Sequence, residues 1–423
     1  MSINEILSAT IVLAAIFGYV NHRWIKWPST IGILVLALLF SFVLAIVGEF
    51  VPVLMQKVAP LVAAIDFRKA LMNFMLSLLL FAGAIHIDAN GLVKEGWFII
   101  ILSTIGTIIS TLLVGTLSWC LFWLFHAHIE FIYCLLFGAV ISPTDPIAVM
   151  AILKTAKIPH SLELKISGES LFNDGVAVVL FISIAEAAKN GTQNFDVANM
   201  LTLFAQQAVG GLLFGAILGY AGFLTLRTID NYSVEILITL AIVLGGYSVA
   251  GYLHISGPLA MVVAGIITGN KIKGEAMSET TRDYLNKFWG LIDDVLNAVL
   301  FLLIGLEMLI IQIYPVVIVI GLIIILVVLI ARWISVFLPV YFLRFRITFE
   351  KNAIAILTWG GLRGGLSVAL ALSLSPAMHK NEFVLITYIV VVFSILVQGL
   401  TIGRFVRRLS GASSIQHRDH SRQ

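Results

Sequence analysis

In the stretch GESLFNDGVAVVLF, residues 168–181, two carboxylates and an amide precede an apolar run. At helical spacing Asp174 shares a face with Ser170, four residues earlier, and Ser167 extends that face. Glu169 and Asn173 share the adjoining face, so one helix presents two neighbouring polar surfaces. Carboxylate, hydroxyl and carbonyl oxygens are the ligands that hard cations take. A carboxylate confined in a cavity holds a proton or a metal cation but not readily both, and competition for one group is a sufficient basis for exchange.

A second polar interruption is GAVISPTDPIAVM, residues 138–150. Pro143 and Pro146 each remove a backbone donor, and residues before proline avoid the α region, so a helix must break at Ser142 and Asp145. Asp145 followed by Pro146 is a good capping pair for a helix that restarts there. The freed carbonyls and Thr144 are then candidates to face a polar cavity, where Thr144, Ser170 and Asp174 would make an all-oxygen cation site. Asn173 is a candidate bridge to the broken segment, or an amide packed between helices.

The third is ILTWGGLRGGLSVALAL, residues 356–372, where four glycines surround Arg363. Glycine lowers the cost of unwinding and lets backbone approach closely. A cation beside the carbonyl end of a half-helix is favourable, which makes Arg363 the candidate counterpart of Asp145 at a second break. The other intramembrane arginine, Arg332, is expected to pair with Glu169, since each would otherwise be a costly lone charge.

The elements that carry these groups follow from composition. Hydrophobic residues make up 60% of the 423-residue chain and charged residues 12%, against about 25% charged in a soluble domain; mean hydropathy is +1.04. The fold class is all-α, a polytopic membrane protein. Apolar runs of spanning length predict about thirteen transmembrane helices: 5–21, 31–52, 69–87, 97–125, 130–153, 165–188, 199–226, 233–252, 257–270, 285–312, 315–343, 352–375 and 382–405. The 257–270 run is short for the purpose. With an odd count and the N-terminus outside, nineteen of the 26 Lys and Arg residues fall in cytoplasmic positions and five outside, Arg332 and Arg363 being inside helices. The net charge of +3 therefore reflects topology and no nucleic acid is implied. The first run lacks a basic n-region and cleavage site and reads as a retained helix. Cys120 and Cys134 read either as an outer-side disulfide or as two buried thiols.

The breaks fall in the fifth and twelfth runs. With the seventh set aside as a linker, six helices precede and six follow, and an inverted repeat is expected. Gly211, Gly215 and Gly219 form a close-packing stripe on that linker. Asp293 and Asp294 are read as the solvated start of the tenth run, with a role in a cytoplasmic funnel as the alternative; Glu307 is left unassigned. A channel would want a continuous polar pore, and an intramembrane metal hydrolase a motif such as H-E-x-x-H, which is missing.

Taken together, SPTDP at 142–146, GESLFNDGVAVVLF at 168–181, LNAVLFLLIGL at 296–306, Arg332 and GGLRGGLSVALAL at 360–372 resemble the NhaP branch of the monovalent cation:proton antiporters, related to animal sodium/proton exchangers. The resemblance implies an NhaA-like fold with inverted repeats and two broken, crossing helices. It also implies a homodimer in the bacterial inner membrane. Residues 1–95 and 232–313 would form a dimerisation domain, 96–190 and 314–408 a core domain, 198–228 a linker helix and 409–423 a short cytoplasmic tail. Asp174 would be the ion and proton carrier, with Ser170, Thr144, Asp145 and Asn173 around it. The Asn-Asp pair would go with electroneutral exchange of sodium or lithium for protons by alternating access. A potassium/proton antiporter is the alternative, then a non-transporting sensor. No enzyme activity and no cofactor are implied.

Overall fold

The computed structural model describes residues 3–51, 67–147, 149–150, 153, 159–189, 197–271, 279–344 and 352–419. Parts of the expected 271–284 loop, of the 130–153 run and of the tail lie outside them. Among the described residues the secondary structure is helical, and nine helices are long and apolar enough to cross a bilayer.

The elements are α1 (Ile3–Val20), α2 (Ser29–Phe50), α3 (Phe67–Ile85) and α4, which comprises Ala89–Ile101, a π turn Leu102–Gly106 and Thr107–Leu124. Then follow α5 (Phe131–Ile141), α6 (His160–Lys189), α7 (Val197–Leu226), α8 (Tyr232–Tyr252), α9 (Gly257–Lys271), α10 (Glu279–Glu307) and α11 (Pro315–Leu343). The short α12 (Ala353–Trp359) and α13 (Gly365–Leu372) precede α14, which runs from Lys380–Phe393 through a π turn Ser394–Gly399 to Leu400–Asp419.

Two sets of neighbours emerge. Helix α9 packs on α3 and α7, and α10 on α2 and α3; α4 packs on α5, α6 and α11, and α14 on α11 and α13. The glycine stripe of α7 has its partner in α9: a Cβ at Gly211 or Gly215 would meet the backbone of Ser256 or Ala260.

Several boundaries differ from expectation. Helix α4 begins at Ala89 and not near residue 97, although this brings in Lys94 and Glu95. Glu95 lies 3.4 Å from Lys165, itself 1% exposed, so the two charges neutralise one another inside the bundle. Lys165, one of the nineteen bases expected in cytoplasmic positions, is a buried helical residue, because α6 begins earlier, at His160. Helix α10 begins before the 285–312 run and ends at Glu307, which places Asp293 mid-helix. The cysteines are both free, Cys134 buried and Cys120 exposed on the bundle surface, so neither the disulfide nor the two buried thiols describes them.

Candidate functional site

Each broken helix supplies what the other's break lacks. After α5 the chain is non-helical over 142–146 and restarts at Ile147; between α12 and α13 residues 361–364 are non-helical. These segments cross, and the Asp145 amide donates to the Leu362 carbonyl at 2.7 Å. The Asp145 carboxylate accepts from the Ile147 amide at 2.9 Å, capping its own restarted helix. It also lies over Gly364, at the start of α13, where a Cβ would collide with it. One carboxylate thus faces two helix N-termini, where negative charge is favoured. Arg363 sits at the opposite pole: its Nη1 donates to the carbonyls of Ser142 and, at 3.1 Å, Pro143, the C-terminal end of α5.

The second break is satisfied from α14. The Arg363 amide donates to Ser394 Oγ at 2.9 Å, Ser394 donates to Gln398 Oε1 at 2.7 Å, and Gln398 Nε2 donates to the Trp359 carbonyl at 3.1 Å. Ser394 and Gln398 lie in the π turn, a device common at functional sites.

Helix α6 holds the crossing through Glu169 and Asn173. Arg332 Nη1 and Nη2 donate to the two Glu169 oxygens, both at 2.7 Å, and Arg332 also reaches the Leu357 carbonyl at 3.1 Å. Asn173 Nδ2 donates to Glu169 Oε1 at 2.9 Å and Thr144 Oγ1 at 2.6 Å, while its Oδ1 accepts from the Thr144 amide at 3.2 Å. Thr144 and Ser170 hydroxyls lie 2.9 Å apart, and Ser170 also donates to the Thr144 carbonyl. The structure therefore brings Thr144, Ser170, Asn173 and Glu169 into one network, with the two hydroxyls engaged with each other and the Asn173 amide occupied at both ends.

Asp174 stands apart. It makes no hydrogen bond or ion pair with a described residue, and it lines a cavity of about 120 Å³ together with Thr144, Asp145, Ser367, Asp293 and Asn297. That space admits water or a partly hydrated ion.

The sequence pattern of the transmembrane region of sodium/hydrogen exchangers matches residues 11–408. The chain belongs to the sodium/hydrogen exchanger family. It is 46% identical over 417 residues to the Na(+)/H(+) antiporter NhaP of Pseudomonas aeruginosa, covering 97% of this chain and 98% of that one. It is 33% identical over 350 residues to the Na(+)/H(+) antiporter NhaH of Halobacillus dabanensis, covering 81% and 84%. The solved structure of the sodium proton antiporter MjNhaP1 from Methanocaldococcus jannaschii at pH 8 matches with a TM-score of 0.73 over 95% of this chain and 97% of that one. At 18% identity that likeness is one of fold.

Four residues at or beside this candidate site were given no role of their own by the sequence reading: Asn297, Ser367, Ser394 and Gln398. Asn297 and Ser367 stand inside recognised motifs as small polar groups among apolar neighbours, and nothing local shows that either faces a cavity. Asp293, read as a solvated helix start with a funnel role as the alternative, lies mid-helix and lines the cavity. Ser394 and Gln398 have i, i+4 spacing as their signal, visible only once the break they serve is located.

Proposed function

We propose that the chain is a secondary transporter that exchanges sodium, or lithium, for protons, with ion and proton taking turns on Asp174. The observation that carries this reading is a carboxylate with no described bonding partner, at a cavity where two broken helices cross. Charges within a membrane span are expensive and mark ion pathways, and broken helices at a binding site are a transporter device. Every other charge at the crossing has work: Glu169 holds Arg332, Asp145 caps Ile147, and Arg363 caps α5. The names of the relatives agree with this chemistry.

One uncommitted carboxylate supports one-for-one, electroneutral exchange. The elements α4 to α6 and α11 to α14 would form the moving core, and α1 to α3 and α8 to α10 the dimerisation domain of a homodimer, joined by the linker α7. The protein would lie in a bacterial inner membrane with the N-terminus outside and the C-terminus in the cytoplasm.

Purified protein in liposomes with an entrapped pH dye tests the reading. An inward sodium gradient is expected to drive proton efflux at a rate indifferent to an imposed membrane potential, and Asp174→Asn to abolish it. Undiminished flux in Asp174→Asn, or no response to sodium, lithium or potassium, overturns it; response to potassium alone transfers the assignment to that ion.

A further inference from the structure

Two polar atoms at the cavity remain unexplained by this mechanism. Asn297, on α10, is 2% exposed, and its Oδ1 has no hydrogen-bond partner. Ser367, on α13, is fully buried, and its Oγ has none either. Both line the cavity of Asp174. The orientation of the Asn297 amide is set by its neighbours: Nδ2 donates to the Asp293 carbonyl at 2.8 Å and to the Asp293 carboxylate at 3.0 Å. A flipped amide would press its oxygen against two acceptors, so the NH2 is held back along α10 and the oxygen is left over. Buried acceptors are seldom left unpaired, and each such case calls for an explanation. If Asn297 merely packed between helices, a donor on a neighbouring helix should meet its oxygen; among the described residues none does.

Resting on the exchange reading above, we propose that Asn297 Oδ1 and Ser367 Oγ are cation ligands, completing an oxygen shell opposite Asp174, and that Asp293 is the positioning residue that aims the Asn297 amide. Neutral oxygens replace the hydration of an entering cation. They bind the cation without competing for the carboxylate's proton, so they favour sodium over the proton on Asp174. Asn297 also differs in placement from the other ligands. It belongs to α10, in the proposed dimerisation domain, whereas Ser367 and Asp174 belong to the core. When the core moves, Asn297 stays behind, and the cation is held more tightly on the face served by this cavity than on the other.

The test is the sodium dependence of exchange in sealed vesicles of both orientations, with sodium-induced thermal stabilisation of the purified protein as a second readout. Loss of one ligand is expected to raise the sodium KM roughly tenfold in Asn297→Leu on one face of the membrane, and to weaken the sodium-induced stabilisation in parallel. Asp293→Ala, which keeps the backbone acceptor and loses the carboxylate, should raise KM part of the way, whereas Asp293→Asn, whose side-chain oxygen still accepts from Asn297, should restore a near-native KM. Asp294→Asn, an exposed neighbour on the same helix, removes the same charge as a control and should leave KM unchanged. Ser367→Ala gives an independent answer should Asn297→Leu fail to fold: its KM rises on both faces. Unchanged KM in Asn297→Leu and Ser367→Ala overturns the assignment, as does an equal rise on both faces for Asn297→Leu. If Asp293→Asn is as impaired as Asp293→Ala, the positioning role is overturned in favour of its charge. The exchange reading fails separately, by undiminished activity of Asp174→Asn.

Discussion

Glu169 and Asp174 stand five residues apart on α6 and meet opposite circumstances. Glu169 is bonded through both oxygens to Arg332, and Asp174 to no described residue. The types and spacing of these residues were legible in the sequence, because intramembrane charges are few and an unpaired pair of opposite sign invites pairing. Of the two sequence readings of Asn173, a bridge or a packed amide, the bridge to the broken segment matches its bonds to Thr144. Its amide is spent on Thr144 and Glu169, and it is not among the residues lining the cavity. Asn173→Asp would remove both donors and set a carboxylate against Glu169. It is therefore expected to lower the thermal midpoint and most of the activity, and not to make exchange electrogenic; robust, potential-sensitive transport by this variant would contradict the bonding pattern. Removing one partner of a buried pair costs about 3–5 kcal/mol, so Glu169→Gln should sharply reduce the folded yield. The combined Glu169→Leu, Arg332→Met variant should recover part of it, as measured by melting in detergent.

At the scale of elements, prolines and glycines announce a break locally, which is why 142–146 and 361–364 could be located from sequence. The bonds that satisfy a break come from far along the chain: Arg363 reaches α5, Ser394 accepts from the Arg363 amide, and Gln398 reaches the end of α12. No local pattern carries that information. The start of α4 lies earlier than the hydropathy run for a related reason, since a hydropathy window counts Glu95 as a loop charge when its contact with Lys165 lets it lie within a helix. Gly364→Ala is expected to displace the Asp145 carboxylate and abolish most transport while leaving folded yield nearly intact, because the Asp145–Leu362 and Arg363–Pro143 bonds still hold the crossing. Gly215→Leu, by contrast, would push α7 off the Ala260 backbone. Overpacking of this kind costs about 1–3 kcal/mol or more, to be read as a lowered melting midpoint.

For the whole molecule, composition made a helical membrane protein plain, since a chain so poor in charge has no soluble alternative. The packing of α9 on α3 and α7, and of α4 on α5 and α11, could not be read from hydropathy, which is nearly uniform around most of these helices. The proposed orientation rests on the distribution of Lys and Arg. A protease-sensitive tag on the C-terminus is expected to be cut in everted vesicles and protected in right-side-out ones; the reverse would invert the topology. The central claim, that a proton and a sodium ion exclude one another from Asp174, is tested most directly by counting protons released when sodium binds to the purified protein in weakly buffered detergent. One proton per sodium ion is expected from the native chain and none from Asp174→Asn. Sodium binding without release, or the same release from Asp174→Asn, would contradict it.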